Sequence, residues 1–84
     1  DYTYIPTWFL DELAFFLEDG ASRHGRDNWK NASTNEERKD AGASLARHAM
    51  SEANDECDEN HGMACVFNVM LRKHIKRNLI NDNL

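Results

Sequence analysis

Residues Thr34–Glu59, TNEERKDAGASLARHAMSEANDECDE, decide how the rest of the chain is read. Thr34 followed by Glu37 is a capping-box pair: hydroxyl and carboxylate each satisfy a backbone N–H that a new helix leaves without a partner. Ser33 and Glu36 repeat the spacing one residue earlier. The pattern predicts a helix over 34–57, with Ala41, Leu45 and Ala49 as a thin apolar seam. Small residues at Ala41, Gly42, Ala43 and Ala46 let another helix approach closely, although Gly42 costs about 1 kcal/mol relative to alanine. At about 100° per residue, His48, Glu52, Asp55 and Glu56 share the stripe of Ala41 and Leu45. Ionised carboxylates on an inward face are strongly disfavoured unless a cation, a base or a metal ion compensates them. The stretch is therefore either a metal or ligand site, or an acidic end projecting past the core. From Glu52 to Glu59 there are five acids in eight positions and no base, a density that opposes the helix dipole. A bound divalent cation would remove that conflict, and oxygen ligands from neighbouring turns suit magnesium or manganese.

Downstream, Asp58–Gly62 reads as a break between helices, with Asp58 or Asn60 as the next cap. A third helix follows over 61–78, with Met63, Phe67, Met70, Leu71 and His74 on one face. Asn68 falls among the apolar neighbours Ala64, Leu71 and Ile75, so it must be hydrogen-bonded, either tying two helices together or joining the carboxylates as a ligand. Arg72, Lys73, Lys76 and Arg77 close the helix with positive charge that suits its dipole. The tail beyond them, LINDNL, is expected to fray.

Upstream, TWFLDELAFFLEDG predicts a first helix over 7–19, with Thr7 as its cap and Gly20 as its stop. Phe9, Leu13, Phe16 and Leu17 make its stripe, widened by Leu10 and Ala14, so the helix is expected to be buried over much of its circumference. Residues 1–5 precede Pro6, the only proline, and form an extended arm. Between the first two helices, ASRHGRDNWKNAS is a polar loop in which Arg23, His24, Arg26 and Lys30 surround Trp29. Trp29 either plugs the space between helices or stacks on a nucleobase while the guanidinium groups hold phosphate.

The 84 residues make one small domain, 1–84, and such a chain buries only about 60% of the surface its unfolded form exposes. With 40% hydrophobic residues it is folded, but with a thin core that favours homo-oligomerisation as a dimer or tetramer. Fifteen acids against ten bases, a net charge of −5, oppose sequence-independent binding to a nucleic-acid polymer. Cys57 and Cys65 match no common zinc or disulfide pattern. No apolar run approaches the roughly 20 residues that cross a bilayer, so a cytoplasmic protein without a membrane partner is expected.

Several of these motifs occur in a fixed order. Pro6, the LDELA helix, Gly20 and Ala21, RHG at Arg23–Gly25, then Asn28 and Trp29 make a first series. Arg47 and His48, the acids Glu56, Asp58 and Glu59, then His61, Ala64 and Asn68 make a second. Across residues 6 to 71 the ordered series resembles a small phage and bacterial family of dATP/dGTP diphosphohydrolases, related to the MazG-like all-α nucleotide pyrophosphatases. The paired EExxE and ExxD signature of MazG enzymes is not present. The resemblance implies an all-α fold, a three-helix antiparallel arrangement that completes a helical bundle by self-association. It also implies that a purine (d)NTP is cleaved between its α- and β-phosphates with magnesium or manganese. Glu52, Asp55, Glu56 and Glu59 become candidate metal ligands, with His48 or Glu56 activating water. Arg23, Arg26 and Lys30 would hold phosphates, Asn28 or Trp29 would contact the base, and His24, Arg47, His61 and Asn68 complete the nucleotide contacts. The alternative is a phage protein of the host cytoplasm that sequesters an immune signalling nucleotide without turnover, an anti-defence role that keeps Arg23, Arg26 and Trp29 and does without convergent carboxylates.

Overall fold

In the computed structural model, which describes residues 1–82, three helices carry the chain: α1 (Thr7–His24), α2 (Asn35–Ala53) and α3 (His61–Asp82). No strand occurs among the described residues. Short 3-10 turns at Tyr2–Tyr4 and Asn28–Asn31 precede α1 and α2. Pairs across α2 and α3 fix their direction. His48 meets His61, Ser44 meets Asn68 and Arg38 meets Arg72, so one number falls as the other rises and the helices are antiparallel. Glu12 meets Asn60 and Phe16 meets Phe67, so α1 and α3 advance together.

Local chemistry explains each boundary. Thr34 and Glu37 form the reciprocal capping box: the Thr34 hydroxyl accepts from the Glu37 N–H at 3.1 Å, and Glu37 accepts from the Thr34 N–H. Hydrogen bonds from the Ser33 backbone and the Thr34 side chain hold the Glu37 carboxyl below its usual pKa. Thr34→Ala should therefore destabilise the chain by about 1 kcal/mol, read as a lower urea midpoint with unchanged slope.

At its far end α2 stops at Ala53 instead of running to 57. Asp55 takes a left-handed conformation with φ 57°. The Glu56 N–H donates to the Ser51 carbonyl and the Asp55 N–H to the Glu52 carbonyl, the paired bonds of a Schellman ending. Aspartate tolerates this backbone better than most residues because its short side chain can bond locally. The expected wheel is thereby cut: Asp55 and Glu56 leave the helical stripe. Asn60 caps α3, its side-chain oxygen accepting from the Met63 N–H at 3.1 Å.

The other ends shift as well. α1 does not stop at 19 but runs through Gly20 to His24, supported by the Arg23–Asp19 pair one turn apart, and it ends at Gly25, whose φ is 93°. Pro6 stands at its start, with no side-chain cap from Thr7. α3 passes 78 and reaches Asp82, so the fraying expected of the tail does not occur at residues 79–82; residues 83–84 lie outside the described residues. Arg72, Lys73, Lys76 and Arg77 consequently lie before the last turn and do not serve the dipole there. Arg72 crosses to α2, donating to the Arg38 carbonyl at 2.6 Å, and Gly42 makes room, since a Cβ there would sit 2.5 Å from the guanidinium.

The core lies between α2 and α3: Ala41, Met63, Ala64 and the fully buried Ile75, with Ala32 closing one end. Ala49, expected in the seam, is exposed. Phe9, Leu13, Phe16 and Leu17 of α1 are half-buried, but no α1 residue is fully buried, and Trp8, Leu10, Ala14 and Phe15 face outward. The expected burial over most of α1 fails because, among the described residues, the helix packs mainly on α3 and leaves its other side uncovered. The 1–5 arm is a capped 3-10 turn with both tyrosines exposed. No helix among the described residues is long and apolar enough to cross a membrane.

Candidate functional site

Because α1 leans on α3 along one edge, an open cleft of about 1130 Å³ is left between the α1 end and the α2–α3 pair. Its first wall is the end of α1 with the following turn, where Arg23, His24, Arg26, Asn28, Trp29 and Lys30 all line the space. Its second wall includes Ser44 and His48 of α2, Glu59 of the connection, and Ala64, Phe67 and Asn68 of α3. Two motif series that lie far apart in the chain thus face one cavity.

Trp29 is anchored edge-on, 6.2 Å from the Phe67 ring and 5.1 Å from the His74 ring, so it does plug the gap between turn and helix while still lining the cleft. Lys30 Nζ lies 5.6 Å from the Trp29 ring centre and pairs with Asp27, and Arg23 pairs with Asp19. Arg26 has no ion pair among the described residues. Asn68 ties the helices together: its amide donates to the Ser44 hydroxyl at 3.2 Å and the Ala64 carbonyl at 2.9 Å. This is the structural tie that was one of the two alternatives read from the sequence, and Asn68 also lines the cleft. Arg47 is exposed on α2 and takes no part in the lining.

At one end of the cleft sits a compact cluster. His48 Nδ1 and His61 Nδ1 are 2.8 Å apart, and Glu59 Oε1 lies 3.3 Å from the first and 3.6 Å from the second. His61 is buried because it opens α3 against α2, and its other nitrogen donates to Asp58 Oδ1 at 2.7 Å. The chain positions this cluster through the Schellman ending of α2 and the Asn60 cap of α3, which bring Asp58 and Glu59 back across His48. Asn60 also donates to Glu12, joining α1 to the same connection at 3.0 Å.

The predicted carboxylates divide here. Glu59 is in the cluster, whereas Glu52 lies beside Gly62, and Asp55 and Glu56 are exposed at the α2 ending. Among the described residues the metal-competent group is His48, Glu59 and His61. His61, read from the sequence as a nucleotide contact, thus points its Nδ1 at the same spot as Glu59. Asp58 and Asn60 were missed as site residues. Their signal was present in the sequence, since both were candidate caps for α3.

The bond to Asp58 raises the His61 pKa, aided by the nearby Asp58, Glu59 and Glu56 charges and opposed by burial, while the same bond lowers that of Asp58. Protonated His61 therefore stabilises the fold fully below the ordinary histidine value of about 6.5, and that contribution fades as pH rises through the higher folded value. Ionised Asp58 contributes above about 3.9 and is lost as pH falls through its lower folded value. In chelator-treated protein, the melting-temperature gap between wild type and Asp58→Asn should be widest between about pH 4 and 6.5 and shrink towards pH 8. A gap that grows with pH would contradict the assignment.

Comparison with curated proteins and with solved structures gives no match. Comparison with family models does: residues 1–83 fit the family described as dATP/dGTP diphosphohydrolase, N-terminal, and the chain belongs to that family.

Proposed function

We propose that the cleft binds a purine deoxynucleoside triphosphate and that the domain cleaves it to the monophosphate and pyrophosphate. The observation that carries this reading is that one cavity is lined both by the basic and aromatic residues Arg23, Arg26, Trp29 and Lys30 and by His48 and Glu59 of the metal-competent cluster. The family's description supplies the purine nucleotide.

Arg23, Arg26 and Lys30 hold the phosphate chain and offset its charge, which matters in a chain of net charge −5. Trp29, fixed on Phe67 and His74, offers a ring surface that needs little ordering on binding, with Asn28 beside it as a hydrogen-bonding partner for the base. Water adds to the α-phosphorus, the bond to the α–β bridging oxygen breaks, and pyrophosphate leaves with that oxygen.

The residues present fit a divalent cation: two imidazole nitrogens and a carboxylate oxygen converge, and Asp58 braces one of the imidazoles. When bound, such a cation supplies Lewis-acid polarisation of the phosphoryl oxygens and makes water more acidic. His48, Glu59 and His61 would hold it. Glu52, Asp55 and Glu56 take no role in this reading, since they do not meet the other donors. Self-association is proposed through the exposed Trp8, Leu10 and Phe15 of α1, to be checked by light scattering.

Incubating the chain with dGTP or dATP and a divalent cation, followed by phosphorus NMR, should show deoxynucleoside monophosphate and pyrophosphate. Diphosphate with orthophosphate would overturn the cleavage position. Intact nucleotide accompanied by a thermal shift would replace the enzyme with a binding protein.

A further inference from the structure

We infer that the cluster of His48, Glu59 and His61 is a site for a transition-metal dication, of the manganese-to-zinc series, and not for magnesium, with Asp58 as the residue that positions it. The inference deepens the proposed function by naming the class of cation, but it stands on the cluster alone.

Donor chemistry is the first support. Magnesium keeps an almost entirely oxygen shell with several waters, whereas imidazole nitrogen suits manganese, iron, cobalt, nickel and zinc. Two histidines with one carboxylate, leaving positions open, is a ligand set those ions accept. Two of the three donor atoms here are imidazole nitrogens, and they come from different helices.

Geometry is the second. Ligand atoms about 2.1 Å from a shared ion lie roughly 3.0 Å apart in adjacent octahedral positions and roughly 3.4 Å apart in tetrahedral ones. The triangle has sides of 2.8, 3.3 and 3.6 Å. An ion seated on it would need adjustments of only a few tenths of an ångström. Two neutral imidazoles whose Nδ1 lone pairs faced each other at 2.8 Å would repel, so a positive centre, either hydrogen or metal, belongs between them.

Asp58 is the third. By accepting the Nε2 hydrogen of His61 at 2.7 Å it selects the tautomer whose Nδ1 lone pair points into the triangle. Metal-binding histidines usually have such a carboxylate behind them. A surface histidine in an acidic loop has no need of this arrangement, yet His61 is buried with one nitrogen on Asp58 and the other facing His48 and Glu59.

The test uses the whole chain without a polyhistidine tag, stripped with chelator and titrated in the absence of nucleotide. Cobalt(II) should bind one-to-one with visible d–d bands, and zinc and manganese should raise the melting temperature. Zinc should bind at least about 100-fold more tightly than magnesium. His48→Ala and Glu59→Gln should abolish the cobalt bands while far-UV circular dichroism is retained, and Asp58→Asn should weaken cobalt binding about 10- to 100-fold. Magnesium binding as strong as zinc, or cobalt bands that survive His48→Ala, would overturn the inference. Both results are read without nucleotide, so they are distinguishable from a failure of nucleotide cleavage, which would leave the cobalt result standing.

Discussion

Glu59→Gln should lower the rate of dGTP or dATP cleavage about 10³-fold, with a much smaller change in nucleotide affinity. The substitution keeps size and shape and removes one negative oxygen from the triangle with His48 and His61. A bound dication contributes several kcal/mol of transition-state charge stabilisation, and each 1.36 kcal/mol is about tenfold in rate. In the proposed reading Arg23, Arg26, Lys30 and Trp29, which line the same cleft, would keep their hold on the nucleotide, so the loss is expected in kcat and not in KM. Glu56→Gln is the matching control. Glu56 lies outside the cleft wall and should stay within about threefold of wild type, although its charge is near enough to help raise the pKa of His61. Steady-state kinetics with both variants decides the matter. A Glu56 variant as impaired as the Glu59 one would return catalysis to the acidic stripe that the helical wheel drew at the end of α2, where the family resemblance had set it.

That wheel shows where sequence reasoning holds and where it stops. The Thr34–Glu37 box and the half-buried stripe Phe9, Leu13, Phe16 and Leu17 were legible because both depend on contacts within a single turn or a single face. The end of α2 was not. Asp55 enters the left-handed region without glycine, and projecting the helical period past it placed Asp55 and Glu56 on a stripe they never join. At α1 Gly20 reads as the stop, but the Arg23–Asp19 pair one turn apart favours continuation past it to Gly25. The outward face of α1 was likewise beyond a wheel, which gives the direction of a side chain but not whether anything stands opposite it.

The candidate site was half visible. Arg23 to Lys30 and His48 were singled out, and all line one cavity. The convergence of Glu59 with both histidines was not legible, because it depends on how the seven-residue connection between α2 and α3 folds back. Asn54, Asp55 and Glu56 close one helix, and Asn60 caps the next. Asp58 and Glu59 are placed by those two turns, and no periodicity encodes them.

The same thin packing that opens the cleft makes one side chain decisive for stability, and Ile75→Ala should remove a large part of the chain's margin of stability. Among the described residues Ile75 is the largest side chain with no exposure, and its buried apolar companions are three alanines and Met63. Truncating a buried isoleucine costs about 2–5 kcal/mol, the upper part of that range applying where neighbours cannot collapse into the gap. Helices α2 and α3 are held in register by Asn68–Ser44 and Arg72–Arg38, which resist such collapse. A domain of this size has a total stability of about 5–10 kcal/mol, and each kcal/mol moves its melting temperature about 4–8 °C. A fall of roughly 8–40 °C in calorimetry is therefore expected. Phe15→Ala, at a side chain 72% exposed, should stay within about 0.5 kcal/mol in the dilute chain. A small shift for Ile75→Ala together with a large one for Phe15→Ala would move the source of stability from the α2–α3 core to contacts between copies. The melting temperature would then rise with protein concentration.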